Sequence, residues 1–216
     1  MYRAVGKNYR KHKLYDKRIF TDTIRRDVIE PLLSQYHDGI ISRHEELIHS
    51  HYGSVIDLLT YGGESFLTDQ NDVTLLINGE QKYPALLQAL REAKDTIHML
   101  YYIFDDDEVG REIANILMEK AREGVSVRFV FDDFGSKGIH KHLVQQMQDA
   151  GVELYPFFPL KWWSYLSRIN NRNHRKIVIV DGLVGFVGGI NISNHYDNRH
   201  EDTNHMYRRD THLRIV

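Results

Sequence analysis

An imidazole, an ammonium, a carboxamide and a hydroxyl fall within the stretch from Asn173 to Ser193, which reads NHRKIVIVDGLVGFVGGINIS. Its specified positions are His174, Lys176, Asp181, Gly188, Gly189 and Asn191, the pattern H-x-K-x4-D-x6-G-G-x-N. Of the thirteen histidines in the chain, only His174 has a lysine two residues later. An imidazole can attack phosphorus, while an ammonium and an amide hold the non-bridging oxygens as charge builds on them. Paired glycines remove side-chain bulk where a ligand or a neighbouring backbone must come close. These types suit a phosphodiester, with His174 as nucleophile and Lys176, Asn191 and the hydroxyl of Ser193 around the phosphate.

The elements that must position these groups follow from the apolar pattern. Arg175 to Val180 is a β-branched run that ends before Gly182, which predicts a buried strand. Alternation then puts His174 and Lys176 on one face, with Asp181 at odd spacing from both. Leu183 to Val187 predicts a second strand and hence a hairpin, and Asn191 and Ser193 again share a face. A buried hairpin with a surface histidine and lysine is the plain alternative. Agreement at six specified positions weighs against it.

Upstream, from Asp72, strands and helices alternate. Strands are predicted at Val73–Ile77, Thr96–Phe104, Val125–Phe131 and Val152–Tyr155, with a turn at Asn78-Gly79. Helices are predicted at Tyr83–Ala93, then one capped by Asp105 to Asp107 that runs to about Arg122, and at Gly138–Ala150, the capping carboxylates lying at the positive end of the second. Arg209 to Val216 predicts a last strand with Asp210 at its mouth. Single helices between strands imply right-handed crossovers. The expected class is α/β, a mixed, largely parallel sheet flanked by helices. Ahead of it, Thr21–Tyr36 and Ile40–Leu59 show helical apolar spacing. That divides the chain into an N-terminal helical extension, residues 1–64, and a catalytic domain, residues 65–216.

The quoted segment resembles the HKD motif of the phospholipase D superfamily. Its flanks, RNHRKIVIVDG, GFVGGINIS and RRDTHLRIV, are similar to bacterial cardiolipin synthases. The resemblance implies a metal-independent phosphatidyl transfer between phosphatidylglycerol molecules through a phosphohistidine on His174, with no cofactor. It places Lys176, Asp181 and Asp210 with the catalytic residues, Asp210 as the acceptor that holds the imidazole tautomer, and Gly188, Gly189, Asn191 and Ser193 around the substrate. Asp210 is the better candidate for that acceptor, while Asp181 anchors the motif's own backbone or forms a salt bridge nearby. Such enzymes join two motif-bearing halves, so this chain reads as one half, completed by a missing C-terminal part or by a second copy. Two alternatives stand beside it: a single-motif homodimeric nuclease, and a non-catalytic membrane-associated module.

Composition bears on the partner. A net charge of −2 lacks the basic excess of nucleic-acid binders, and 42% hydrophobic with 27% charged residues is globular. Cysteine is absent, so no thiolate chemistry operates. Met1–Arg18 is basic with Asp16 as its only acid, a frayed terminus or a segment facing anionic lipid, where each cation contributes about 1 kcal/mol. The family comparison favours the second, a bacterial cell-membrane location, peripheral or through transmembrane helices not in this sequence. His195–His205 carries three histidines and three carboxylates, but at no compact metal-ligand spacing. Tyr155–Asn171 holds Phe157, Phe158, Trp162, Trp163 and Tyr165, either core filling or an interfacial surface beside the site. Replacing Trp162 and Trp163 with serine is expected to lower sedimentation with anionic liposomes while circular dichroism stays native; unchanged binding removes the interfacial reading.

Overall fold

In the computed structural model, residues 52–58, 68–157, 172–199 and 207–216 are described. The chain divides into two units, residues 1–71 and 72–216. Of the first, the described part contains a short helix, Gly53–Asp57. The basic Met1–Arg18 stretch, the helix expected at Thr21–Tyr36, most of Ile40–Leu59 and the aromatics from Phe158 to Asn171 lie outside the described residues. Among the described residues, no helix is long and apolar enough to cross a membrane.

Alternating side chains build the second unit. In β2 (Thr96–Tyr101), Ile97, Met99 and Tyr101 are buried while His98 is exposed. In β3 (Ser126–Asp132), Val127, Phe129 and Phe131 are buried while Arg128 is exposed. The remaining strands are β1 (Val73–Ile77), β4 (Glu153–Phe157), β5 (Ile177–Val180), β6 (Val184–Gly188) and β7 (Thr211–Ile215). They form one sheet in the order β1-β7-β6-β5-β2-β3-β4. Three helices, α1 (Asn78–Glu92), α2 (Glu108–Arg122) and α3 (Lys141–Asp149), supply the connections and the rest of the core. Leu86 and Leu90 of α1 and Ile113 and Leu117 of α2 join Ile97, Phe129, Val178 and Phe186 of the sheet in that core.

The sheet is mixed and helix-flanked, as expected of the α/β class, but its parallel part is smaller than the alternation of elements suggested. Only β2-β3 and β3-β4 pair in parallel; β1-β7, β7-β6, β6-β5 and β5-β2 are antiparallel. The reason is local. After β4 the chain returns through the hairpin and β7, and hairpins force antiparallel pairing. The β5–β6 hairpin itself is as expected, turning through Asp181–Leu183. Asn78-Gly79 is not a free turn: it is the first turn of α1, with Asn78 at φ 57°.

The topology brings one set of strand ends together. The C-terminal ends of β2, β3, β4 and β6 and the N-terminal ends of β5 and β7 share one edge of the sheet. His174 lies at that edge, just before β5. Asp181 lies at the opposite one, seven residues on, or roughly 23 Å at ~3.3 Å per residue. Its carboxylate accepts the backbone N–H groups of Lys94 (2.9 Å), Asp95 (2.8 Å) and Thr96 (2.8 Å), which tie the α1–β2 turn to the hairpin. Partial burial would raise its pKa, but the three N–H donors and the charge of Lys94 hold it below the usual carboxylate value. A depressed pKa contributes stability above the unfolded value that disappears as pH falls through the folded one. Asp181→Ala is therefore expected to cost about 1–2 kcal/mol near neutrality, since hydrogen bonds to a charged group are lost and Ala disfavours the residue's φ of 53°. Thermal unfolding should show Asp181→Asn milder than Asp181→Ala, with the Asp181→Asn gap to wild type shrinking toward acid pH. A gap that widens in acid contradicts the anchoring role.

Candidate active site

The side chain that shapes this edge is Lys176, only 3% exposed although it carries a cation. Its Nζ is 2.8 Å from His174 Nδ1 and donates to the His174 carbonyl oxygen at 2.7 Å. Tyr102 backs both groups: its ring is 4.4 Å from the His174 ring, centroid to centroid, and 5.4 Å from Lys176 Nζ. Burial lowers the Lys176 pKa to about 8, with the charge of Asp210 opposing the shift. Burial, then the neighbouring Lys176, also pushes His174 below its ordinary value, while Asp132 works in the other direction. His174 itself is exposed, so its ring combines access to solvent with a neutral state at physiological pH.

The burial of Lys176 follows from the register. Ile177 faces Leu100 on one side and Val187 on the other. Continuing both ladders by one residue sets Lys176 opposite Tyr101 and Gly188, and Gly188 is paired in turn with His212. A single row thus crosses the sheet: Tyr101, Lys176, Gly188, His212. Gly188 is required there, because a Cβ on it would stand 2.6 Å from His212 Nδ1 and 2.6 Å from the Thr211 carbonyl oxygen. His212 is 1% exposed, and both its ring nitrogens lack a hydrogen-bond partner. Burial, with the charges of Lys82 and Lys176, pushes its pKa down to about 3, so the ring is neutral beside Lys176.

Helix α1 supports the row from the core. Lys82 is fully buried, with Nζ 4.5 Å from the Tyr83 ring centroid and 5.0 Å from that of Tyr101. Burial holds its pKa well below the usual lysine value. Lys82 Nζ donates to the Asn191 carbonyl at 3.4 Å, and the Tyr83 hydroxyl lies 2.9 Å from the carbonyls of both Asn191 and Ser193. The loop after β6 is thereby held by its backbone, leaving the Asn191 side chain to be placed by other partners. Its Oδ1 accepts the Ile103 N–H at 3.1 Å, and one Nδ2 hydrogen goes to the Tyr196 hydroxyl at 2.7 Å. A carboxamide has two such hydrogens, and among the described residues the second has no acceptor.

The remaining expected residues divide. Ser193 is 1% exposed, and its hydroxyl accepts the His195 N–H at 3.3 Å at the start of the 3₁₀ turn Asn194–Tyr196. That hydroxyl is turned into the scaffold, toward Asp105, rather than onto a phosphate cradle. Asp210 lies at the site but does not hydrogen-bond His174, whose Nδ1 faces Lys176. Its carboxylate accepts the Thr211 N–H at 2.7 Å and packs over Gly189, where a Cβ would meet Oδ1 at 2.1 Å. Asn78 fixes the Asp210 backbone from both sides, donating its N–H to the carbonyl and accepting the amide on Oδ1, each at 3.0 Å. Asp181, expected with the catalytic group, stays at the far edge as the anchor described above.

Several contributors escaped the sequence reading. Asp132, with no exposed surface, accepts the N–H groups of Phe134 and Gly135 and faces Arg172 at 3.4 Å. Tyr102, Lys82, Tyr83, His212 and Tyr196 are the others. Two of them left a trace: Lys82 stands on the apolar stripe that also carries Leu86 and Leu90, and His212 shares the alternation of Asp210. Among the described residues no group of His, Cys, Asp and Glu side chains has the geometry to hold a metal.

A family model described as "Cardiolipin synthase, PLD-like domain" matches residues 86–212. The chain is 39% identical over 214 residues to cardiolipin synthase 2 of Bacillus anthracis, covering 98% of this chain and 40% of that protein. It is 42% identical over 165 residues to a cardiolipin synthase of Staphylococcus aureus, covering 76% of this chain and 33% of that protein. The chain therefore spans at most about 40% of the length of these relatives. Among solved structures, Nuc of Salmonella typhimurium, a phospholipase D family member, superposes with a TM-score of 0.50 at 19% identity, over 68% of this chain and 83% of that one. The phosphatidylserine synthase of Haemophilus influenzae gives a TM-score of 0.50 at 20% identity, over 66% and 32%. At these identities the likeness is one of fold. With a family match over more than half of its residues, bearing His174, Lys176 and Asn191 at one sheet edge, this chain belongs to the cardiolipin synthase, PLD-like domain family.

Proposed function

We propose that the chain provides the nucleophilic half of a transphosphatidylase site that transfers a phosphatidyl group between phosphatidylglycerol molecules. The observation that carries this reading is the buried Lys176 ammonium held against an exposed, neutral imidazole. A cation in that place attracts a phosphodiester anion to the atom that would attack it. Asn191 Nδ2, with its uncommitted hydrogen, holds a second non-bridging oxygen.

The first step forms a bond from His174 Nε2 to phosphorus and breaks the bond from phosphorus to the glycerol oxygen. Released glycerol takes its proton from a general acid in the second half of the site, contributed by a further part of the protein or by a second copy. In the second step the hydroxyl of another phosphatidylglycerol loses its proton to that same group and attacks phosphorus, breaking the P–N bond and yielding cardiolipin. Attack through Nε2 requires its lone pair to be free, so the ring proton must sit on Nδ1. With Lys176 as the donor to Nδ1, the resting tautomer carries it on Nε2. Substrate resolves the mismatch. A phosphate oxygen draws the ammonium away, and Nδ1–H then turns to a carboxylate, the role we assign to Asp210. The lipid substrate puts the working enzyme at a bacterial membrane surface.

The kcat/KM for cardiolipin formation by the full-length protein on phosphatidylglycerol vesicles, measured from about pH 5 to about pH 10, should follow a bell, because it reports ionisations of the free enzyme. The acid limb reports deprotonation of His174 and lies below the ordinary histidine value. The alkaline limb reports loss of the Lys176 charge and lies near pH 8. Lys176→Arg should move that limb beyond the measured range while lowering the rate, and His174→Ala should remove product by about 10³-fold or more. Activity that survives His174→Ala, or faster turnover of single-stranded DNA than of lipid, contradicts the proposal.

A further inference from the structure

The second reaction partner is itself an anion. With phosphatidylglycerol as acceptor, the reacting hydroxyl is separated from its own phosphate only by a glycerol carbon chain, so a second cation near the cradle would favour that acceptor. Among the described residues, three arginines at this edge of the sheet have partners. Arg199 donates to Asp197 at 2.9 and 2.6 Å, Arg172 faces Asp132, and Arg209 donates to the Asp210 carbonyl at 2.8 Å.

Arg208 is different. It is exposed, and among the described residues no carboxylate pairs with its guanidinium. Yet it is held in place. Its guanidinium carbon lies 5.2 Å from the Tyr196 ring centroid. Asn198 clamps its backbone from both sides, donating Nδ2 to the Arg208 carbonyl at 3.0 Å and accepting the Arg208 N–H on Oδ1 at 2.9 Å. Asn198 is fixed in turn by Glu80 of α1 at 2.9 Å. Tyr196, beneath the guanidinium, is the residue whose hydroxyl receives Asn191 Nδ2. One aromatic ring therefore touches the phosphate-holding amide with its hydroxyl and the Arg208 guanidinium with its face. Stacking on an aromatic leaves the planar fork of an arginine free to take two phosphate oxygens, which a lysine cannot reproduce.

We infer that Arg208, stacked on Tyr196, binds the phosphate of the acceptor phospholipid and so selects an anionic lipid over a neutral alcohol in the second step. This rests on the transphosphatidylase reading. It adds a site for the acceptor to one for the donor.

The test uses full-length protein and vesicles of phosphatidylglycerol, comparing cardiolipin formation with exchange of labelled glycerol into the same lipid. Both reactions pass through the same phosphohistidine, but only the first uses an acceptor that carries a phosphate. For Arg208→Ala the ratio of cardiolipin formation to glycerol exchange should fall about tenfold, in line with the loss of one charge-assisted contact. Arg208→Glu should fall further, and Arg208→Lys should retain an intermediate ratio. An unchanged ratio, or both reactions falling in parallel as a mere loss of membrane attraction would cause, overturns the acceptor site while leaving the donor chemistry standing. A wild-type enzyme that performs neither reaction overturns the transphosphatidylase reading, and this inference with it.

Discussion

A lysine amine buried at a sheet edge is the constraint on which the rest of this structure depends. An ammonium removed from water loses solvation worth several kcal/mol unless it finds partners or gives up its proton. Lys176 does some of both: two acceptors come from His174, and its pKa falls to about 8. What the protein leaves unmet, a phosphodiester can supply. Burial therefore acts on binding and on chemistry together. It makes the ammonium attractive to an anion and helps to hold the neighbouring imidazole neutral.

Keeping that amine in place engages residues far from it in sequence. Gly188 gives up its side chain so that His212 can lie beside Lys176, and Gly189 does so for the carboxylate of Asp210. Lys82 and Tyr83 on α1 hold the carbonyls of Asn191 and Ser193, while Asn78 at the start of the same helix fixes the backbone of Asp210. The first turns of α1 thus set the distance between the two sides of the cradle. Asp181, although part of the same motif, serves the opposite edge. There it joins the hairpin to the α1–β2 turn and fixes the direction in which β5 presents His174 and Lys176.

The sequence made the motif, the hairpin and the α/β class legible because each depends on local spacing: period two in β5, paired glycines, and a single histidine with lysine at i+2. Sheet order was not legible in that way. Helices between β1 and β4 suggested parallel pairing, but β7 inserts between β1 and β6, and that choice belongs to long-range packing rather than to local pattern. The same limit applies at the site. Type and position point the hydroxyl of Ser193 to the phosphate, yet the 3₁₀ turn that follows claims it. Lys82 was hidden among the apolar residues of α1, because a buried lysine violates the usual preference of that side chain for the surface. Such violations of local rules concentrate at functional sites, and Lys82, Lys176 and His212 lie together beneath this one.

Half a site has a defined chemistry. In the transphosphatidylase we propose, this chain supplies the nucleophile, the phosphate cradle and a carboxylate beside it, and the proton transfer to and from the reacting oxygens belongs to a second half. The claim that ties these together is that Lys176 is a buried amine poised for a phosphodiester. Its most direct test is an NMR titration of the Lys176 side-chain nitrogen in this chain, alone and with glycerophosphoglycerol, whose single charge does not change through the range. A midpoint near 8 that rises when the diester is added is the expected result. A midpoint at the ordinary 10.5 that does not respond to the diester would contradict it.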